Sequence, residues 1–213
     1  MQMRLYHFTK AEFALQDIQH RRLKIAEIQD LNDPFDLRAP QLKTSDERRR
    51  WEDWRKDMNA KFGMICFSSD WTNAALWSHY ADRHRGLCLG FDIADETVGR
   101  VQYSDERPEV DLSREPQESD IGPLLFVKGP DWRYEDEYRV WVRLEERDPQ
   151  HGVFFAQFSE QMVLREVIVG PASDISRDQI SPLLVGFQPP PEMIKARLAF
   201  QSFNVVKQQL GLK

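Results

Sequence analysis

Residues 137–170 read EYRVWVRLEERDPQHGVFFAQFSEQMVLREVIVG. Three runs of strand length, EYRVWVRL (137–144), VFFAQF (153–158) and LREVIVG (164–170), are rich in β-branched and aromatic residues and follow one another with no helical period between them. Successive strands without an intervening helix are incompatible with regular βαβ alternation. LLFVK (124–128) precedes this stretch and IKARLAF (194–200) follows it, with one helix expected near Ser176 to Gly186.

Helices concentrate in the first half. A strand is predicted over Arg4–Thr9, with Leu5, His7 and Thr9 on one face and Tyr6 and Phe8 on the other. A helix follows, with Phe13, Leu15 and Ile18 at roughly helical spacing. LKIAEI (23–28) reads as a strand and LNDPFD (31–36) as a turn. Thr44 and Glu47 have capping-box spacing and should start a helix to about Phe62, its buried stripe formed by Trp51, Trp54 and Met58. MICFS (64–68) and GLCLGFD (86–92) read as buried strands flanking a helix over Asn73–Asp82. The expected class is α+β, with mixed and antiparallel sheets. Neither GxGxxG nor GxxxxGK[ST] occurs, which removes the common nucleotide-loop signatures.

The 213 residues contain 41% hydrophobic and 11% aromatic side chains, enough to build a core, and the expectation is one domain over 1–213. Ser104 to Asp120 is strongly acidic and lacks aromatic residues, so it reads as an exposed, mobile loop. Cys66 and Cys88 lie in apolar runs, as reduced thiols would. With no signal-like start and no run of bilayer length, a cytoplasmic protein without membrane association is expected. The net charge of -6 gives no long-range attraction for polyanions, and Arg48, Arg49 and Arg50 are flanked by acids as on a solvated helix face.

Four polar and aromatic clusters lie where apolar residues would serve folding better: His7; Asn32, Asp33 and Asp36; Trp77, Ser78, His79 and Tyr80; and Trp132, Glu135, Glu137 and Arg139. On a strand, Glu135, Glu137 and Arg139 would share a face while Tyr138, Val140 and Val142 point into the core. Two carboxylates so close repel unless a cation lies between them, and the plainer reading is an edge strand with surface ion pairs. His7 has a plainer reading as a core histidine and Trp77 as core packing, while Tyr80 and His84, four apart, are expected to face one cavity. No HExxH or CxxC is present, so no metal is expected. Cys66 lacks an electropositive setting for a nucleophile, and no GxSxG elbow occurs.

Together, LYHFT, NDPF, CFS with LWSHYA, and WxxExExR are similar, over about Leu5 to Gly170, to a bacterial family that is a domain of unknown function. That family in turn resembles the ADP-ribosyltransferase superfamily, in the branch with a histidine, a tyrosine and a glutamate in that order. The resemblance implies NAD as co-substrate and a macromolecular acceptor, protein or nucleic acid, in a toxin-like or phage-defence effector. It gives His7 the ribose-contacting place, with Thr9 beside it, Tyr80 or Trp77 the nicotinamide stack, and Glu137 the catalytic carboxylate with Glu135 as its alternate. Arg83 or Arg139 would offset phosphate charge. Two other readings remain open: a metal-dependent nuclease using Asp33 or Asp36 with Glu135, Glu137 and Lys128, and a non-enzymatic interaction module.

Overall fold

The structure, a computed structural model, describes residues 1–112, 114 and 118–212. In chain order the elements are β1 (Gln2–Thr9), α1 (Ala11–His20), β2 (Arg22–Glu27), α2 (Ser45–Lys61), β3 (Phe62–Ser68), α3 (Ala74–Tyr80) and β4 (Leu87–Ala94). Two short strands, β5 (Gly99–Arg100) and β6 (Gln102–Tyr103), precede α4 (Glu118–Ile121), β7 (Val127–Lys128) and β8 (Glu137–Arg143). The chain ends with β9 (Phe154–Gln157), β10 (Met162–Val169), α5 (Arg177–Ile180), β11 (Glu192–Leu198) and β12 (Val205–Lys207). The fold is α+β. Among the described residues no helix is long and apolar enough to cross a membrane.

The chain divides into two compact units. Unit 1 contains residues 1–23, 66–98 and 156–213. Its mixed sheet is built on β4, which pairs antiparallel with β1 from Gln2↔Ala94 to Thr9↔Leu87 and with β10 on its other side. β10 runs parallel to β11, and β12 closes that edge antiparallel. The period-2 alternation of these strands decides what each face buries. Cys88, Ile168, Ile194 and Ala196 lie under α3, whose Trp77 is fully buried. Leu87, Leu89 and Phe91, the alternate residues, are fully buried as well. Each such side chain contributes roughly 1.5–3 kcal/mol. Gly170 lets the chain pass close beneath α3, since a Cβ there would lie 2.4 Å from the His84 carbonyl oxygen.

Unit 2 contains residues 24–65 and 99–155. The predicted capping box starts α2: the Thr44 hydroxyl accepts from Glu47 N–H, and the Glu47 carboxylate accepts from Thr44 N–H. Trp51 anchors a core with Leu112, Ile121 and Leu124, and its Nε1–H donates to the Leu37 carbonyl. β2 pairs with β3, β8 with β5 through Gly99↔Arg139, and β6 with β7 in parallel through Tyr103↔Lys128.

Several expectations differ in detail. On α1 the buried residues are Ala14, Asp17 and Ile18, whereas Phe13 is exposed; on α2 only Trp51 is buried, with Trp54 and Met58 half-buried. LLFVK is mostly a 3-10 turn, Gly122–Phe126, because Pro123 has no N–H to give a sheet ladder. Segment 104–120 has no regular element before Leu112, which is buried and whose carbonyl accepts from Arg50 Nη1. Residues 113 and 115–117 of that segment lie outside the described residues.

Candidate functional site

The densest charged cluster is buried in unit 2. Lys128 Nζ, on β7, lies 2.6 Å from Glu135 Oε2 and 3.1 Å from Glu137 Oε2. Arg139, two residues beyond Glu137 on β8, donates through Nε and Nη2 to both oxygens of Glu137, at 2.8 and 3.0 Å. The same guanidinium grips Asp36 through two parallel 2.8 Å bonds and donates to the Leu125 carbonyl at 3.0 Å. Side-chain exposure is 4% at Lys128 and Glu137, 3% at Asp36 and 0% at Arg139. Burial of this many charges is tolerated only because each meets an opposite one. Three carboxylates and two cations share this cluster.

Local geometry explains the meeting. Glu135 ends a 3-10 turn (Pro130–Glu135), and Asp136 is left-handed at φ 40°, so the chain kinks before β8 begins. The kink brings Glu135 onto Lys128 although it is not on the strand. The face expected to be polar and exposed is therefore the buried one: Glu137 and Arg139 are inside, and Tyr138, Val140 and Val142 are half-buried. Gly99, opposite Arg139, is required for the close approach of Phe126, whose ring would lie 2.2 Å from a Cβ there. The Tyr103 hydroxyl accepts from Glu137 N–H at 2.9 Å, and burial pushes its pKa up to about 12.

Electrostatics follow the pairing. Burial pushes the Lys128 ammonium down, but the carboxylates of Glu137 and Glu135 more than offset this and hold it above the ordinary lysine value. Burial raises the Asp36 carboxyl above its ordinary value, against the opposing pull of the Arg139 guanidinium.

Lys128 also lines a cleft of about 230 Å³ in the same unit, together with Asp33, Phe35, Arg107, Asp131 and Trp132. The Lys128 ammonium lies 4.7 Å from the Trp132 ring centroid, and the Arg107 guanidinium 5.1 Å from that of Phe35. Asp33 builds the turn at the cleft wall, its Oδ1 accepting from Phe35 N–H at 2.8 Å. Phe35 and Arg107 were not singled out in the sequence. The available signal was a phenylalanine inside a polar turn, and it is 60% exposed.

His7, Thr9, Trp77, Tyr80 and Arg83 belong to unit 1, whereas Glu135, Glu137 and Arg139 belong to unit 2. His7 Nδ1 lies 3.0 Å from the Cys66 carbonyl oxygen, and the ring packs edge-on against Phe67. A carbonyl only accepts, so Nδ1 carries the proton and Nε2 holds the lone pair. Burial lowers the His7 pKa, with the Cys66 carbonyl opposing, which favours that neutral form. Thr9 ends β1, half-buried.

Trp77 does not offer a stacking face: it is fully buried, edge-on to Phe8, with Nε1–H donating to the Trp71 carbonyl at 2.6 Å. Arg139 is likewise unsuited to a phosphate, since its donors are committed to Glu137, Asp36 and Leu125. Tyr80 is the last residue of α3 and half-buried, and Arg83 is exposed. Asp82, Arg83 and His84 are all left-handed, so the helix has ended before the expected four-residue relation of Tyr80 and His84 can form. His84 instead returns to Ser78, Nε2 to Oγ 3.0 Å.

Among the described residues, no group of three His, Cys, Asp or Glu side chains is arranged to hold a metal ion. Compared with family models, curated proteins and solved structures, the chain matches none of them.

Proposed function

We propose that the chain is an NAD-dependent ADP-ribosyltransferase acting on a macromolecular acceptor. The observation that carries the reading is the convergence of Glu135 and Glu137 on Lys128 Nζ within one buried cluster. NAD would supply the ADP-ribosyl group by loss of nicotinamide through an oxocarbenium-like state. A desolvated carboxylate stabilises developing positive charge of that kind.

The roles follow from what each side chain has to offer. Glu137, or Glu135 as its alternate, accepts from a ribose hydroxyl, which takes over one of the bonds now made by Lys128. Lys128 holds the two carboxylates together through its ammonium. Within unit 1, the resemblance assigns His7 to a ribose, for which its neutral imidazole has the Nε2 lone pair to offer, and Thr9 lies on the same strand face. In the same unit, Tyr80 is the half-buried aromatic residue that the resemblance assigns to a nicotinamide ring, and Arg83 the exposed cation it assigns to phosphate. A cytoplasmic toxin-like or phage-defence effector is the setting this reading implies.

A metal-dependent nuclease is the weaker reading, because Asp36 and Glu137 already hold Arg139 where a divalent ion would have to enter. The interaction-module reading draws on one specific observation, the full burial of Trp77 and Arg139. Incubation with NAD labelled in its adenylate half, plus bacterial lysate, separates the readings. Nicotinamide release and label transfer are expected from the wild type, with loss of about a hundredfold or more in Glu137→Gln and in His7→Ala, each checked for folding by circular dichroism. If the wild type neither releases nicotinamide nor transfers label, the transferase reading is wrong.

A further inference from the structure

From the charge and shape of the cleft in unit 2, we infer that it binds a basic side chain, arginine in preference to lysine, presented by a positively charged protein segment. The negative surplus of the whole chain resides in this unit, whose residues include 17 Lys and Arg against 23 Asp and Glu. Such a field attracts cationic segments from a distance, most strongly at low salt.

Inside the cleft the balance is the same. Glu106 and Asp131 are exposed carboxylates at its wall, and Asp105, also exposed there, lies 4.0 Å from Arg133. The three lining cations are already engaged. Lys128 faces two carboxylates, Arg38 lies 3.5 Å from Glu52, and Arg107 stacks on Phe35 while donating to the Arg38 carbonyl. The two rings of the lining, Phe35 and Trp132, each carry a cation of this chain, which demonstrates the kind of group they accept. A planar guanidinium stacks on such faces and can bond two carboxylate oxygens together, which a lysine ammonium cannot do equally well.

Size limits the occupant. At about 230 Å³ the cleft falls below the roughly 300 Å³ at which sites for whole small molecules begin, but it admits one long side chain. As the site of the acceptor, this assignment rests on the transferase reading and names its substrate class, a basic protein. As a binding site it stands independently of that reading.

The test is fluorescence anisotropy of the full chain with labelled nona-arginine, nona-lysine and nona-glutamate, run beside nicotinamide release from NAD without peptide. Nona-arginine should bind about threefold tighter than nona-lysine, and nona-glutamate not at all. Glu106→Gln with Asp131→Asn should weaken nona-arginine by about fivefold, as should Phe35→Ala. A control, Glu145→Gln with Glu146→Gln, removes two exposed charges of the same unit that do not line the cleft, and should stay within about twofold of wild type. No binding of nona-arginine, binding of nona-glutamate, or a control loss equal to that of the cleft variants overturns the inference. Nicotinamide release without peptide binding would refute this site alone and leave the transferase standing, whereas peptide binding without release would do the reverse.

Discussion

Replacing Arg139 with methionine probes the buried cluster directly. The guanidinium is 1% exposed and makes five hydrogen bonds, four of them to the carboxylates of Asp36 and Glu137. Methionine fills much of the volume but leaves three buried carboxylates around the single cation Lys128. Breaking one buried pair by removing a partner costs about 3–5 kcal/mol, and here two pairs share the lost residue. Against a total stability on the order of 5–15 kcal/mol, the variant should sit near its unfolding threshold. Urea denaturation at pH 7.5 measures this as a fall in midpoint at unchanged slope. Adding Asp36→Asn removes one of the stranded charges and should recover part of the loss. A fall of less than about 1 kcal/mol for Arg139→Met would refute the reasoning, since it would mean that water already reaches these carboxylates.

Asp17 gives a pH-dependent prediction. Its carboxyl is buried on α1 and raised from 3.8 to about 7 by that burial, with Arg22 pulling the other way. A folded pKa above the unfolded one means that the stabilising contribution is fully present below pH 3.8 and is lost as pH rises through about 7. Asp17→Asn should therefore match wild type near pH 4 and exceed it above pH 8, by on the order of 4.5 kcal/mol for a shift from 3.8 to about 7 at 1.4 kcal/mol per pKa unit. Equal thermal midpoints at both pH values would show that Asp17 is hydrated. Gly99→Ala forces a Cβ within 2.2 Å of the Phe126 ring and should cost about 1–3 kcal/mol by chemical denaturation, with Phe126→Leu in the same chain relieving it.

Strand alternation and the capping box were legible because both are local. The strands around 137–170, β4 and the start of α2 form where the spacing places them. What could not be read is what depends on a partner distant in sequence. Alternation assigns apolar residues to the inside, and β8 reverses this because Arg139 finds Asp36 more than a hundred residues away. The NDPFD turn and the WxxExExR segment were each conspicuous, but nothing local says that they meet. Strands of two residues, such as β5, β6 and β7, carry no period to detect. Trp77 and Tyr80 looked alike as aromatics on one short helix; the sheet beneath decided which of them is core.

The cluster's retention is hard to explain by stability alone. Ion pairs this deeply buried are often matched or bettered by apolar residues of similar volume, because desolvation consumes most of the Coulombic gain. Here five ionisable residues, a left-handed Asp136 and a glycine at position 99 are all used to assemble one buried cluster. A folding role and a chemical role predict different outcomes for Asp36→Leu, Lys128→Met, Glu135→Leu, Glu137→Leu and Arg139→Met combined in one chain. If the cluster exists for chemistry, that chain should fold, with a urea midpoint at or above wild type, yet release no nicotinamide from NAD. If it instead fails to fold, while single charge-neutral changes such as Glu135→Gln keep both fold and stability, the cluster's role is to set the strand arrangement, and it carries no catalytic meaning.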